Sequence, residues 1–346
     1  MLASFAYLYG NPQSQGDLRT QFADFKVIEQ LPFTPHGEGE HLLVKIRKTD
    51  QNTTYVARQL AKFFAVKDSL VSYAGLKDRF AVTEQWFGIH LPGKNIDDLT
   101  DFSLQGVEVL ASTRHNKKLR IGALSGNRFI ITLRNVSDIG DVQRRWLAIT
   151  QHGVPNYFGE QRFGRDGGNI DKALAMFAGQ KFKDKKKRSI YLSAARSLVF
   201  NQVISSRIAQ DKFEQLHIGD VMMLSGTQSV FPLTEVDDTM LQRFQSKDVD
   251  ITAPMWGKGE LMTAGLPLQL EQAIAEQYPE ICQGLVKFGL KQERRRIRLS
   301  VQDSSIEVDK TNQTVQVGFT LPAGCFATSI LRELIDYQDV SLTRFE

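Results

Sequence analysis

The sequence predicts an α+β protein of two domains, one sheet-rich and built from both ends of the chain, the other inserted between them. Three observations carry that expectation. Alternation of apolar and polar residues recurs through the first third of the chain and again after Ile297. A single long amphipathic helix pattern occupies the middle. Near Gln151 the texture changes to a stretch of glycines and aromatics that fits neither period. The length, 346 residues, also leads to an expectation of two domains rather than one small core.

Taken in order, DFKVIEQ and EHLLVKIRK read as strands, the second with Leu42, Val44 and Ile46 on one face and Leu43, Lys45 and Arg47 on the other. Between them PFTPHGEGE, with two prolines and two glycines, is turn chemistry. TYVARQLAKFF spaces Val56, Leu60, Phe63 and Phe64 as a helix, with Thr53 and Thr54 as capping candidates. QWFGIHL and NRFIITLRNV return to strand, and Phe129, Ile131 and Leu133 share a face. GVPNYFGEQRFGRDGGN, with five glycines and three aromatics, reads as loop. After a basic run, LSAARSLVFNQVISSRIAQ predicts a helix whose buried stripe is Ala195, Leu198, Val199, Val203, Ile204 and Ile208. Residues 215–290 are mixed and carry few functional signals. IRLSVQ, SIEVD and TVQVGFTL then read as strands, and ATSILREL as a short helix.

Composition bounds the class. A hydrophobic fraction of 42% and 24% charged residues describe an ordinary soluble globular protein. No apolar run approaches the roughly 20 residues that span a bilayer. The opening MLASFAYLYGNPQSQGD lacks the basic start of a signal peptide. Cys282 and Cys325 stand far apart without a CxxC partner, so a reducing, cytoplasmic setting is expected. The net charge of +4 is modest, but basic residues bunch in RHNKKLR (114–120), KFKDKKKR (181–188) and KQERRRIR (291–298). Each cluster taken singly is a solvated face; three together point to a polyanionic partner.

Several chemistries lack their sequence signatures. There is no GxxxxGK[ST] loop, no GxSxG elbow and no glycine fingerprint after a strand, and the six histidines lack metal-site spacing. No metal or cofactor is expected, and the chemistry falls to side chains.

One stretch stands out. In YAGLKDRFAVTEQW a carboxylate, Asp78, lies directly between Lys77 and Arg79. G-x-K-D-x is good turn chemistry, and a soluble loop is one reading. The other depends on dielectric: a cation about 4 Å from a carboxylate is worth about 1 kcal/mol in water and about 4 kcal/mol at an effective dielectric near 20. Flanking cations would then hold Asp78 ionised against desolvation, ready to act as a nucleophile or to stabilise a cation developing at a sugar carbon. Tyr73, Phe80 and Trp86 supply either apolar walls or core.

GLKDR followed by AVTEQW resembles the active-site motif of the TruD family of tRNA pseudouridine synthases. DFKVIE (24–29), HGEGEH (36–41), KLRIGALSGNRF (118–129), VPNYFGEQRFG (154–164), LSAARSLVFNQ (192–202) and LPAGCFATSILREL (321–334) resemble further family segments, in the family's order. Only the region from about 205 to 295 is weakly matched. The resemblance implies a catalytic domain with a mixed, largely antiparallel sheet flanked by helices, spanning 1–152 and 300–346, and an inserted α/β domain over 153–299, the two forming an RNA-binding cleft. It implies isomerisation of uridine to pseudouridine at position 13 in the D arm of tRNA, with Asp78 catalytic and no cofactor. Phe25 and Phe326 match positions that hold the base, and Asn127 the position whose amide reads the uracil edge, an amide offering both donor and acceptor. Arg19 matches a basic position able to pair with the aspartate, and Lys77 flanks it.

Arg162, Arg165, Arg196, Arg207, Lys185, Lys186 and Lys187 are expected phosphate contacts, which position RNA without reading sequence. The implied partner is tRNA, with a monomer and no obligate protein partner expected. Two rivals stand beside this reading: a tRNA-binding or folding protein with the same fold and no catalysis, and an RNA methyltransferase, which the missing methyl-donor fingerprint disfavours.

Overall fold

The computed structural model describes residues 5–93 and 98–345, so the first four residues of the opening segment lie outside it. Undescribed positions aside, the chain divides into two compact units. One, the sheet unit, takes Pro12–Gln151, Val301–Ala327 and Leu334–Glu346; the other, the middle unit, takes Met1–Asn11, His152–Ser300 and Thr328–Glu333.

In chain order the first part runs β1 (Gln15–Leu18), β2 (Phe25–Gln30), β3 (His41–Thr49), α1 (Thr53–Phe63), β4 (Val71–Tyr73), β5 (Val82–His90), β6 (Val107–His115), β7 (Gly126–Arg134) and α2 (Ile139–His152). The middle follows as β8 (Val154–Pro155), α3 (Gly168–Phe177), α4 (Lys185–Ala209), β9 (Val221–Leu224), β10 (Val230–Pro232), α5 (Asp238–Gln245), β11 (Val249–Met255), α6 (Gly265–Gln277), α7 (Pro279–Lys287), β12 (Glu293–Arg296) and β13 (Arg298–Leu299). The chain closes with β14 (Gln302–Asp309), β15 (Thr314–Pro322), α8 (Ala327–Leu334) and β16 (Asp336–Asp339).

The sheet unit is built on one mixed sheet with the order β14-β15-β7-β2-β5-β3-β6; β4 adds to β5, and β1 bridges β7 and β16. Most neighbours are antiparallel, while β2 with β5 and β1 with β16 run parallel. Alternation sets the register, since a slip of one residue would turn every apolar side chain outward. Leu42, Val44 and Ile46 of β3 and Phe87 and Ile89 of β5 form a buried layer, and Val56 and Leu60 of α1 pack onto it. Leu43, on the opposite face, packs with Ala74 and Leu119. Full burial of each such side chain is worth about 1.5–3 kcal/mol. In the middle unit a second sheet, β10-β9-β11-β12, accompanies the helices, and α4 buries Ala195, Leu198, Val199, Val203 and Ile204.

Several local expectations are revised. Helix α2 stands in a region whose alternation predicts mostly strand. α1 is capped at Asn52, without a side-chain cap bond; the Thr53 hydroxyl is committed elsewhere, as described below. α4 begins at Lys185, seven residues before the predicted apolar pattern, because Asp184 caps it and accepts from the backbone N–H of Lys186 at 2.8 Å and of Lys187 at 3.3 Å. That carboxylate offsets the lysines crowded at the positive end of the helix dipole.

The third basic cluster, KQERRRIR, is largely internal wiring. Arg294 pairs with Glu271 at 2.9 Å, Arg295 donates to Asn156 at 2.8 Å, and Arg298 lies 3.1 Å from Glu214. Asn201 on α4 holds the NYFG string through both amide atoms, each 2.9 Å from the Phe158 backbone, so the two motifs form one connected structure.

Candidate active site

Asp78 lies in the loop between β4 and β5, and three buried side chains fix that loop. Gln85 Nε2 donates to the Gly75 carbonyl at 3.2 Å. Thr53 Oγ1 accepts from the Lys77 backbone N–H at 3.1 Å and donates to Gln85 Oε1 at 2.8 Å. Lys48 Nζ donates to the Asp78 carbonyl at 2.8 Å and lies 3.4 Å from that of Lys77. A loop normally carries its own backbone groups to water; this one is fastened from beneath by α1, β3 and β5.

The carboxylate faces Arg19, which follows β1. Arg19 Nη2 reaches Asp78 Oδ2 at 3.3 Å, and Nη1 reaches Asp339 Oδ2 at 2.5 Å. The guanidinium carbon lies 4.1 Å above the centre of the Phe25 ring. Arg19 adopts φ 59°, a left-handed backbone that disfavours a side chain. Strain of that kind persists where the surroundings hold it, and here two carboxylates and an aromatic face do so.

The two cations adjacent in sequence are turned elsewhere. Lys77 Nζ is bonded to Glu29 Oε2 at 2.7 Å, and Arg79 Nε to Asp50 Oδ1 at 2.8 Å. The expected Lys77–Asp78–Arg79 charge sandwich is therefore replaced by Arg19, just beyond β1. Nor is Asp78 desolvated in the free protein, since 49% of its side chain remains exposed.

Asn127 stands directly opposite Glu29 on β2 and Leu321 on β15. Opposed residues of a ladder share a face, so register carries Asn127 to the side of the sheet where Glu29 receives Lys77. Its Oδ1 is buried, with no hydrogen-bond partner among the described residues. Gly126 permits this arrangement: a Cβ there would meet the Leu321 carbonyl oxygen at 2.4 Å. Phe326 sits half-buried in the turn after β15, a turn tied back by the Ala323 N–H to the Ser125 carbonyl at 3.3 Å. Phe25 is only 2% exposed, lying beneath Arg19 and edge-on to Phe129; in the free protein it is packing, not an open stacking surface.

Sequence reasoning passed over four residues that shape this site: Lys48, Glu29, Thr53 and Asp339. Lys48 had a signal available, a cation at an inward position of an alternating strand. It is fully buried, and burial pushes its pKa down to about 8, opposed by the Asp78 charge. Among the described residues no group of three or more His, Cys, Asp or Glu is placed to hold a metal. A cavity of about 480 Å³ bordered by Asp166, Ile170, Asp171, Tyr278 and Glu280 belongs to the middle unit and includes none of the residues around Asp78.

The family model for tRNA pseudouridine synthase D (TruD) matches residues 2–172 and 176–334. The chain belongs to the TruD family. A tRNA pseudouridine synthase D from Colwellia psychrerythraea is 60% identical over 349 residues, covering 99% of this chain and 95% of that protein. One from Shewanella oneidensis is 49% identical, over 98% and 91% respectively. A crystal structure from Methanosarcina mazei assigned to TruD superposes with a TM-score of 0.75 at 21% identity, covering 96% of both chains. At that identity the likeness speaks for the α+β fold.

The phosphate-contact candidates of this TruD chain divide sharply. Lys185, Lys186 and Lys187 are exposed on the first turn of α4, and Arg165 is 93% exposed beside Asp166. Arg162 donates to Ser193 Oγ at 2.9 Å over the Phe158 ring, and burial holds its pKa below the usual arginine range. Arg196 braces the Met255 carbonyl at 2.7 Å and pairs with Glu293 at 3.0 Å. Arg207 is buried against Asp220 at 2.6 Å. Arg196 and Arg207, expected at phosphates, are thus engaged in internal bonds in the free protein. No described helix is long and apolar enough to cross a membrane.

Proposed function

We propose that the chain isomerises uridine to pseudouridine in tRNA, at position 13 of the D arm, using the Asp78 carboxylate and no cofactor. Family membership and the names of its relatives support the reaction. The resemblance of GLKDR and its companion segments supports the position and the residue. The structural observation that carries the reading is a half-exposed carboxylate on a loop fastened from within, bonded to one arginine.

The reaction breaks the bond between uracil N1 and ribose C1′, turns the base and joins C5 to C1′; C5 loses its proton and N1 gains one, so the net change is an isomerisation. Electrons balance without an oxidant or a second substrate. A carboxylate beside the extruded nucleotide can add to the sugar, add to the base or take a sugar proton. Each route requires the same thing of the protein: an aimed, half-open carboxylate. Extruding the nucleotide costs a few kcal/mol, and stacking on an aromatic returns about 1–3 kcal/mol. Phe326, half-buried in its turn, is assigned that role, and Phe25 is assigned to support Arg19. The unpartnered Asn127 Oδ1 is assigned to the uracil edge, where it accepts from an N–H. Lys185, Lys186, Lys187 and Arg165 are assigned to phosphates, and the working state is assigned as a cytoplasmic monomer.

The test is Asp78→Asn on unmodified tRNA, with pseudouridine mapped by chemical labelling. The expected result is retained tRNA binding and no product. Substantial product from the variant overturns the assignment.

A further inference from the structure

We propose that Lys48 is a positioning residue of this centre, holding the Asp78 main chain in place and setting a buried positive charge beneath its carboxylate. The inference rests on Asp78 being the catalytic group and goes beyond it, because Lys48 is fully buried and touches no substrate.

The neighbouring cations have carboxylate partners, Lys77 in Glu29 and Arg19 in Asp78 and Asp339. The Lys48 ammonium has carbonyl oxygens instead, that of Asp78 at 2.8 Å and that of Lys77 at 3.4 Å. The strands on either side place Thr83 and Val107 opposite it, neither of them charged. Two charged groups act on it: Asp78, which favours the ammonium, and Lys77, which opposes it. Burying a cation without a carboxylate bonded to it is costly, and a methionine of similar length would fill the same space without that cost. A lysine is explained here if its charge is used.

It has two uses. Its N–H bonds fix the peptide plane that follows Asp78, and hence the direction of the Asp78 side chain. Its charge also attracts the Asp78 carboxylate, the two favouring each other's ionised forms. Burial brings the lysine to about 8, so the ammonium is present below that pH and is lost as pH rises through it. A neutral amine can still donate to the carbonyl, so raising the pH removes the charge while leaving a bond.

The experiment compares single-turnover pseudouridine formation on unmodified tRNA from pH 6.5 to 9.5 for the wild type, Lys48→Met, Lys48→Arg and Asp78→Asn, with the tRNA Kd and Tm of each. For Lys48→Met the rate is expected to fall about 10- to 100-fold, on the scale of a lost charged hydrogen bond, with Kd little changed. The wild-type rate should decline as pH passes about 8, a limb that Lys48→Met lacks. Should Lys48→Met not fold, Lys48→Arg keeps the charge throughout and should also lack the limb. Wild-type rates from Lys48→Met, or a wild-type profile flat to pH 9.5, overturn the role of Lys48. If Asp78→Asn is inactive alongside either result, only the Lys48 assignment fails; if Asp78→Asn is active, the catalytic reading falls first.

Discussion

Lys77 Nζ lies 2.7 Å from Glu29 Oε2, with the lysine side chain 7% exposed and the glutamate wholly buried. The residue next to Asp78 in sequence thus anchors its loop to β2 rather than neutralising its neighbour. Glu29 Oε1 also accepts the Trp86 backbone N–H at 3.1 Å, so one carboxylate joins three segments. Breaking one partner of a buried pair strands the other and costs about 3–5 kcal/mol. Glu29→Gln is expected to lower the unfolding free energy by about that much in a urea titration, whereas an apolar replacement of both partners should recover most of it.

Arg19 spans two carboxylates from a rigid fork, and a lysine ammonium cannot reproduce that geometry. Arg19→Lys should keep the local charge and lose one of the two bonds. A charged hydrogen bond is worth about 1.5–3 kcal/mol, so the single-turnover rate is expected to fall about 10- to 100-fold, with a smaller change in tRNA affinity.

Among the described residues Asn127 Oδ1 has no hydrogen-bond partner. Asn127→Ala is expected to leave Tm within a few degrees of wild type while lowering kcat/KM roughly 10-fold, the worth of about one hydrogen bond. A large fall in Tm with unchanged kcat/KM would instead assign the side chain to the fold.

Asp250 gives a pH signature unconnected with the chemistry. It is buried on β11, and burial pushes its pKa up to about 6 from an ordinary 3.8, against the pull of Arg298 3.7 Å away. A carboxyl raised in the folded state binds its proton more tightly there than in the unfolded chain. Its contribution to stability is therefore full below about pH 4 and declines as pH rises to about 6. Asp250→Asn removes that penalty and should raise stability at pH 7 by about 2–3 kcal/mol. The gain should vanish below pH 4, as a urea series at both pH values would show.

Strands such as His41–Thr49 were legible because alternation reports burial directly, and the long helix because its apolar stripe recurs at helical spacing. α2 was not, since its buried face includes Asp141 and Arg145, polar residues paired with each other at 3.0 Å, and an apolar count misses such a face. The same blindness governed the site. Composition cannot show which carboxylate a cation has chosen, so Lys77 and Arg79 were expected to attend Asp78 while each attends another acid. KQERRRIR likewise looked like an exposed polyanion-binding patch until Glu271, Asn156 and Glu214, remote in sequence, proved to be its partners. Asp78 enters as the catalytic candidate only through resemblance to a family, because the residues around it come from up to 261 positions away, at Asp339.

The pairing of β1 with β16 has a consequence for biosynthesis. Gln15–Leu18 lies in register with Asp336–Asp339, and Arg19 takes its second carboxylate from the last residue of that ribbon. A ribosome that has already translated the Asp78 loop still carries a nascent polypeptide whose arginine is tethered on one side only. The second tie forms only once Asp339 has been synthesised, and products terminated before that residue, however well their early strands have paired, lack one of the two ties that aim the guanidinium.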